Sequence, residues 1–264
     1  MSKRLDLYLF ENGYVKSRNV AKTMIINGDI SVNGKVCTKP SQIAEDNDIV
    51  EIVGEMPKYV GRGGLKLEKA LLEFGVDLNG LSCIDVGAST GGFTDCMLQN
   101  GAEKVFAVDV GINQLADSLR NDERVVCMEK TDVRTLEKFD FDCDISFAAA
   151  DVSFISILLI LPSMRNLLEN NGNAVVLIKP QFEAGKSNIG KNGIVKDRKV
   201  HAQVIEKCIE YAENADFQVG GIIPSAIKGT SGNIEYLMLL RCGYERKFVF
   251  DSKTIVKTAF EADY

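Results

Sequence analysis

The sequence predicts a two-part α/β protein: a small α+β domain, then a mainly parallel sheet layered with helices and closed by antiparallel strands. Three observations predict it. Basic residues and the pairs Asn27–Gly28 and Asn33–Gly34 crowd the first forty positions. A glycine-containing linker follows. From residue 80 onward, short apolar, β-branched strands alternate with helical stretches, the pattern of a parallel sheet covered on both faces. With 264 residues, 45% hydrophobic and 26% charged, the chain can bury a sizeable core.

The first domain, residues 1–56, carries Lys3, Arg4, Lys16, Arg18, Lys22, Lys35 and Lys39 against Asp6, Glu11 and Asp29 in its first 39 positions. Leu5, Leu9, Val20, Met24 and Ile25 fall at helical spacing, and Ser17 suits the N-cap of a second helix. "ISV" and "KVC" around Asn33–Gly34 read as a hairpin, and "DIVEIV" at 48–53 as a further strand. The segment 57–64 reads as a linker, because Pro57, Gly61, Gly63 and Gly64 interrupt regular structure. The helix "KLEKALLEF" then ends at Gly75 and opens the second domain, 65–264.

In that domain, strands are expected at "LSCIDVG", "KVFAVDVG", "VVCMEKTD", "ISFAAADVS" and "NAVVLIKPQF". A helix follows at "HAQVIEKCIEYAENA", and "GGIIPSAIKG" with "NIEYLMLLRCG" form the closing antiparallel pair. Ligands bind such sheets beyond the carboxyl ends of their strands. Asp85, Asp109, Asp151 and Lys179 all sit there, where burial has no need of them.

Composition excludes several classes. The net charge of −6 makes no global case for nucleic acid, so any such case is local. Seven dispersed cysteines, none in a CxxC pair, argue against a disulfide framework or a zinc site and fit a reducing cytoplasm. A single histidine, His201, argues against histidine triads and histidine-rich metal centres, and no metal is expected. Asp6 and Glu11 interrupt the apolar core that a signal peptide requires. "FISILLIL" at 154–161 is far shorter than the ~20 residues of a membrane helix. A cytoplasmic protein without a membrane span is expected.

The stretch "CIDVGASTGGFTD" reads as strand, glycine turn and helix start. It lacks the lysine of a Walker loop, since Phe93 follows Gly92, and it lacks the spacing of a dinucleotide loop. Asp85 would repel a pyrophosphate. S-adenosylmethionine, a cation without phosphate, suits the loop better. Its expected contacts are Asp85, Gly87, Ser89, Thr90, Gly91, Gly92 and Phe93. Asp109 and Val110 follow at the end of the next strand for the ribose, and Asp132 and Val133 for the adenine.

The methyl acceptor is narrowed by what is missing. "DVSF" at 151–154 lacks the prolines typical of exocyclic amino methylation, and no cysteine has the context of a pyrimidine-attacking nucleophile. Hydroxyl methylation remains, and it needs alignment plus a group to take a proton. Lys66, Asp151, Lys179 and Glu235 alternate in charge and could converge at strand ends. Desolvation and the second lysine would favour a neutral Lys179 beside a ribose 2′-hydroxyl.

Two resemblances follow. "RLD", "SR..A...I..G.I.VNG" and "KP", over roughly residues 3–53, resemble the RNA-binding module named after small-subunit ribosomal protein S4. Arg4, Arg18, Lys22 and Lys35, with Arg62 beyond it, are the candidates for RNA contact. The whole set, adding "GRGGLKL", "DVGASTGGFTDC", "VDVG..QLA..LRND.RV", "DVSFIS", "KPQFE" and "SGNIEY", resembles the TlyA/haemolysin A family over roughly residues 3–243. That family joins an S4-type module to an FtsJ-like methyltransferase domain of Rossmann-like fold. The resemblance implies 2′-O-methylation of ribosomal RNA, cytidine riboses in ribosomal subunits being the best-known targets. It carries the catalytic tetrad onto Lys66, Asp151, Lys179 and Glu235. Members often have asparagine where this chain has Asp132, and the tail 244–264 matches nothing in the family pattern. The competing readings are a non-catalytic RNA-binding or ribosome-assembly protein, against which the intact loop and tetrad weigh, and a pore-forming haemolysin. The sequence gives no sign of oligomeric state.

Overall fold

The computed structural model describes residues 2–15, 17–244 and 248–264; Lys16 of the basic cluster and residues 245–247 of the tail lie outside the described residues. The chain forms two compact units, Met1–Gly61 and Arg62–Tyr264.

The first unit runs β1 (Lys3–Arg4), α1 (Leu5–Glu11), α2 (Arg18–Asn27), β2 (Ile30–Val32), β3 (Lys35–Cys37), β4 (Ile43–Ala44) and β5 (Val50–Ile52). Ser17 caps α2 by accepting from the Val20 amide at 3.2 Å, and Gly28 ends it at φ 83°. Asn33 and Gly34 both take positive φ (52° and 74°), the geometry of the tight hairpin between β2 and β3, and β5 pairs with the other edge of β2. Leu5, Leu9, Met24 and Ile25 are fully buried together, as their spacing predicts. The short pair β1–β4 has no pattern visible in the sequence.

The second unit continues with α3 (Gly63–Phe74), β6 (Ser82–Val86), α4 (Gly92–Gln99), β7 (Lys104–Asp109), α5 (Asp117–Arg120), β8 (Val125–Glu129), β9 (Ile145–Ala150), α6 (Leu161–Leu167), β10 (Leu168–Ile178), α7 (Pro180–Glu183), α8 (Arg198–Asn214), β11 (Gln218–Pro224), β12 (Tyr236–Arg241) and α9 (Ser252–Glu261). α3 begins inside the expected linker, so Lys66 stands on a helix. Seven strands form one sheet in the order β11-β12-β10-β9-β6-β7-β8. β6 to β10 run parallel, and β12 runs antiparallel to both β10 and β11. The chain steps outward from β6 through β7 and β8, then returns to the other side through β9. The crevice between β6 and β9 is therefore the topological switch point, the usual place for a ligand in such sheets.

The tail holds a helix that the sequence reading did not foresee. Asp251 caps α9 by accepting from the Lys253 and Thr254 amides, and Val256 and Ala259 join the core. Phe260 meets the ring of His201 edge-on at 5.0 Å. His201 is fully buried, with one ring nitrogen 2.8 Å from the Tyr236 hydroxyl and the other 3.0 Å from the Val195 carbonyl. It joins α8, β12 and α9, and it lies outside the chemistry described below.

Asp6 departs from its role in the sequence reading, where it counted only against the basic cluster. It is fully buried, and both Arg4 (3.0 Å) and Arg18 (2.9 Å) donate to it. Burial pulls its carboxyl upward, but these hydrogen bonds prevail and hold it below its ordinary value of 3.8. The pairing thus contributes fully above that value and is lost as pH falls through the lower folded value. Asp6→Ala should destabilise the first unit by about 1–3 kcal/mol. Hydrogen exchange in the full chain checks this: the α1 amides should lose protection, and unchanged protection would show that the pairing is dispensable.

Candidate active site

Each member of the predicted tetrad is placed by a different feature of the backbone. Pro180 has no N–H to continue a ladder, so β10 ends at Ile178 and Lys179 becomes the N-cap of α7. Asp151 follows β9, and its amide donates to the Val86 carbonyl at 3.1 Å. Gly87, at φ 82°, permits this approach: a Cβ there would stand 2.9 Å from the Asp151 carbonyl oxygen. Lys66 comes from the first turn of α3. Glu235 precedes β12, and because β12 is antiparallel to β10, with Tyr236 opposite Ile178, its start lies at the carboxyl end of β10.

The four side chains meet in a row. Lys179 Nζ is 2.5 Å from Asp151 Oδ1, a close ion contact; Lys66 Nζ is 3.6 Å from Asp151 Oδ2 and donates to Glu235 Oε2 at 2.7 Å. Lys66, Lys179 and Glu235 are buried. Residues that the sequence reading left without a role cap the row. Lys179 Nζ donates to Ser153 Oγ at 2.8 Å, and Gln181 Nε2 donates to Glu235 Oε1 at 3.2 Å. Gly229 makes room at that end, since a Cβ there would fall 2.4 Å from Glu235 Oε1. Ser153 and Gln181 each stand two positions after a tetrad member, the one signal that could have pointed to them.

The row lines a cavity of about 600 Å³, with Arg62 at its edge, and a second of about 530 Å³ shares Gly87, Ser89, Asp151, Ser153 and Phe154 with it. The first also holds Asp85, Thr90, Gly92 and Phe93; the second holds Asp109, Val110, Asp132 and Val133. Of the expected donor contacts, Gly91 lines neither. Its φ of 93° starts α4, and a Cβ there would collide with Leu119 Cδ1 at 2.2 Å, so packing requires this glycine. Asp109 accepts from the Ser89 amide at 2.7 Å and the Gly111 amide at 2.6 Å, so it also shapes the loop. Asp132 is paired with Arg134 at 2.6 Å, and hydrogen bonds from Arg134 hold its carboxyl below the usual range.

The FtsJ-like methyltransferase family model matches residues 59–242. This chain belongs to the FtsJ-like methyltransferase family. An S4 domain model matches residues 3–50. A Bacillus subtilis protein named "Putative rRNA methyltransferase YqxC" is 47% identical, over 90% of this chain and 85% of its own. The Mycobacterium tuberculosis protein named 16S/23S rRNA (cytidine-2′-O)-methyltransferase TlyA is 37% identical, over 92% of this chain and 91% of its own. A solved structure described as "Putative hemolysin from Streptococcus thermophilus" shares 43% identity, with a TM-score of 0.80 over 98% of this chain and 96% of its own. No helix among the described residues is long and apolar enough to cross a membrane.

Asp85 has a different environment from the row. It is fully buried; Oδ2 accepts from the Thr94 amide (2.8 Å) and hydroxyl (2.6 Å), while Oδ1 has no partner among the described residues. Burial pushes its carboxyl up to about 7, against the Thr94 hydrogen bonds and with help from Asp151 and Asp109. The folded protein therefore holds a proton that the unfolded chain releases near 3.8, and stability declines as pH rises between these values. Asp85→Asn should flatten that decline. Between pH 5 and pH 7 the wild type should lose roughly 1–2 kcal/mol relative to the variant in denaturant titrations. Parallel stability curves would contradict a protonated Asp85.

Proposed function

We propose that this chain transfers a methyl group from S-adenosylmethionine to a ribose 2′-hydroxyl of ribosomal RNA, with cytidine as the expected nucleoside. The observation that carries this is the alternating Lys179–Asp151–Lys66–Glu235 row, in a cavity that shares its glycine loop with a second, donor-sized cavity. The family membership and the rRNA-directed names of the relatives support the same reading.

The residues present fit the donor. Asp85 Oδ1 lacks a partner and suits an ammonium, directly or through water. Gly87 lets the ligand approach the backbone, Asp109 offers a carboxylate to ribose hydroxyls, and Val110 and Val133 supply apolar surface for the adenine. Bound there, S-adenosylmethionine supplies a methyl already activated by its sulfonium. The protein's task is alignment and proton removal. Lys179 Nζ, in its neutral form, would take the 2′-O–H proton, and S-adenosylmethionine held by Asp85, Gly87 and Asp109 would supply the methyl group to the oxygen and leave as its thioether. Asp151 orients Lys179 and stabilises the ammonium that forms, and Lys66, held by Glu235, limits the negative charge around it.

RNA affinity is assigned to Arg4, Arg18, Lys22 and Lys35 of the S4-matching unit, and to Arg62 at the cavity edge. Arg4 and Arg18 are partly neutralised by Asp6 yet remain 45% and 44% exposed, so both can still face phosphates. Phe154, 91% exposed and lining both cavities, offers a face for a splayed-out base.

Nucleoside mapping of ribosomal RNA from cells with and without this protein tests the reading; an identical 2′-O-methylation map would refute it. Two variants test the parts. Asp109→Ala should weaken donor binding by about 1.5–3 kcal/mol, with unchanged calorimetric affinity excluding the ribose assignment. Lys179→Ala should lower single-turnover methyl transfer to ribosomal subunits about 10²–10⁴-fold with donor and RNA binding nearly intact. Lys179→Arg should not rescue it, because a guanidinium does not give up its proton. Near-normal turnover in the alanine variant would make Lys179 a structural cation.

A further inference from the structure

We propose that Ser153 is a positioning residue that directs the lone pair of Lys179 at the substrate hydroxyl, an inference that rests on the ribose-methylation reading. A primary amine has three tetrahedral positions besides its bond to carbon. Around Lys179 Nζ, Asp151 Oδ1 stands at 2.5 Å and Ser153 Oγ at 2.8 Å. The ring of Phe182 lies farther off, its centroid 5.8 Å away. The neutral amine carries two N–H groups and one lone pair. Ser153 Oγ takes one N–H in a hydrogen bond, while the Asp151 carboxylate, an ion contact outside hydrogen-bond geometry, draws the N–H side of the amine toward itself, which turns the lone pair to the remaining side. With Asp151 alone, the amine would turn about its C–N bond and present an N–H to the hydroxyl much of the time.

The backbone holds Ser153 in place. Phe154, next in the chain, has φ 66°, a left-handed conformation that is unfavourable for a bulky aromatic residue. Its ring packs against Phe182 at 5.3 Å, so the turn is tied to α7, the element that Lys179 caps. Ser153 is itself exposed and lines both cavities, and no burial requirement accounts for its contact with Lys179. The charged groups in the row with Lys179 are Asp151, Lys66 beyond it, and Glu235 at the far end. None of them occupies the position that Ser153 fills.

The role has a two-part signature. Losing the acceptor misdirects the lone pair, so the rate plateau falls. It also removes a hydrogen bond from the ammonium form, so the acid limb of the pH–rate profile moves to lower pH. A packing defect would lower the plateau without displacing the limb. The test is single-turnover methyl transfer to purified ribosomal subunits over a pH series, with wild type and Lys179→Ala run alongside. Ser153→Ala should lower the plateau about 10-fold and displace the acid limb downward, with donor and subunit affinities within about twofold of wild type. Ser153→Thr, which keeps the hydroxyl, should retain near-wild-type rate and profile, and Ser153→Cys, a poor acceptor of similar shape, should behave as the alanine variant.

A wild-type plateau in Ser153→Ala or Ser153→Cys would overturn the proposal, as would an unmoved acid limb or a threonine variant as slow as alanine. If wild type itself transfers no methyl to ribosomal RNA, the methylation reading falls and this inference with it. If wild type is active, Lys179→Ala inactive and Ser153→Ala normal, only the role of Ser153 falls.

Discussion

Alternation of charge along Lys179, Asp151, Lys66 and Glu235 is the constraint that organises the second unit. A lone buried ion would cost several kcal/mol even after relaxation. Here each cation touches an anion, and Asp151 lies between both lysines. The arrangement draws on α3, the carboxyl ends of β9 and β10, and the start of β12. A parallel β12 would begin at the opposite edge of the sheet, leaving Glu235 a strand length from Lys66. The antiparallel closure, which in a bare parallel sheet would be an ornament, is what completes the row. Because removing one member strands the charge of its neighbours, substitutions at Lys66 or Glu235 act on stability as well as on chemistry.

Asp85 shows the opposite solution. It is as deeply buried as any of the four, but the fold supplies it with Thr94 and no cation. A carboxylate oxygen without an internal partner is a local inconsistency of the kind that proteins keep where a ligand resolves it. The loop around it is similarly shaped by requirements beyond its own stability. Gly87 admits the Asp151 backbone, Ser89 takes φ 48°, and Asp109 reaches back to hold the Ser89 amide. One cavity thus holds acids in different environments: paired with lysines in the row, and pushed up to about 7 by burial at Asp85.

Much of this was legible in the sequence because it depends on local rules. Continuous apolar runs mark parallel strands, the Asn33–Gly34 pair marks a tight hairpin, and acids or lysines at the ends of apolar strands mark a ligand crevice. Lys66, Asp151, Lys179 and Glu235 were legible as candidates for the same reason, and the structure brings them together. What was not legible depends on register between distant segments. Asp6 looks like a surface acid until α2 brings Arg18 beside Arg4. The α9 stretch follows the last strand and shows its purpose only where Val256 and Ala259 meet the core. Ser153 and Gln181 acquire partners because β9 and β10 end, and β12 begins, at the same level. Gly91 lines neither cavity, and packing against Leu119 by itself already requires a glycine there.

The electrostatics of the site also explain why an acidic chain would gather basic residues elsewhere, in its first 39 positions. Asp85, Asp151 and Glu235 face Lys66 and Lys179 within one cavity, so the site offers little net positive charge to a phosphate backbone. With Asp85 protonated and Lys179 an ammonium the five groups sum to neutrality, and with Lys179 neutral they sum to a single negative charge. The reacting centre is therefore neutral or weakly negative before proton transfer, which suits a neutral hydroxyl and a cationic donor better than it suits RNA. Attraction of the polyanion must come from outside the cavity, where counterion release can drive it. Arg62 and Lys228 are exposed at the cavity edge, and Arg4, Arg18, Lys22 and Lys35 lie on the S4-matching unit. In the proposed reading, affinity for RNA and chemistry on its ribose then fall to different residues, so the charge row need not also hold the backbone.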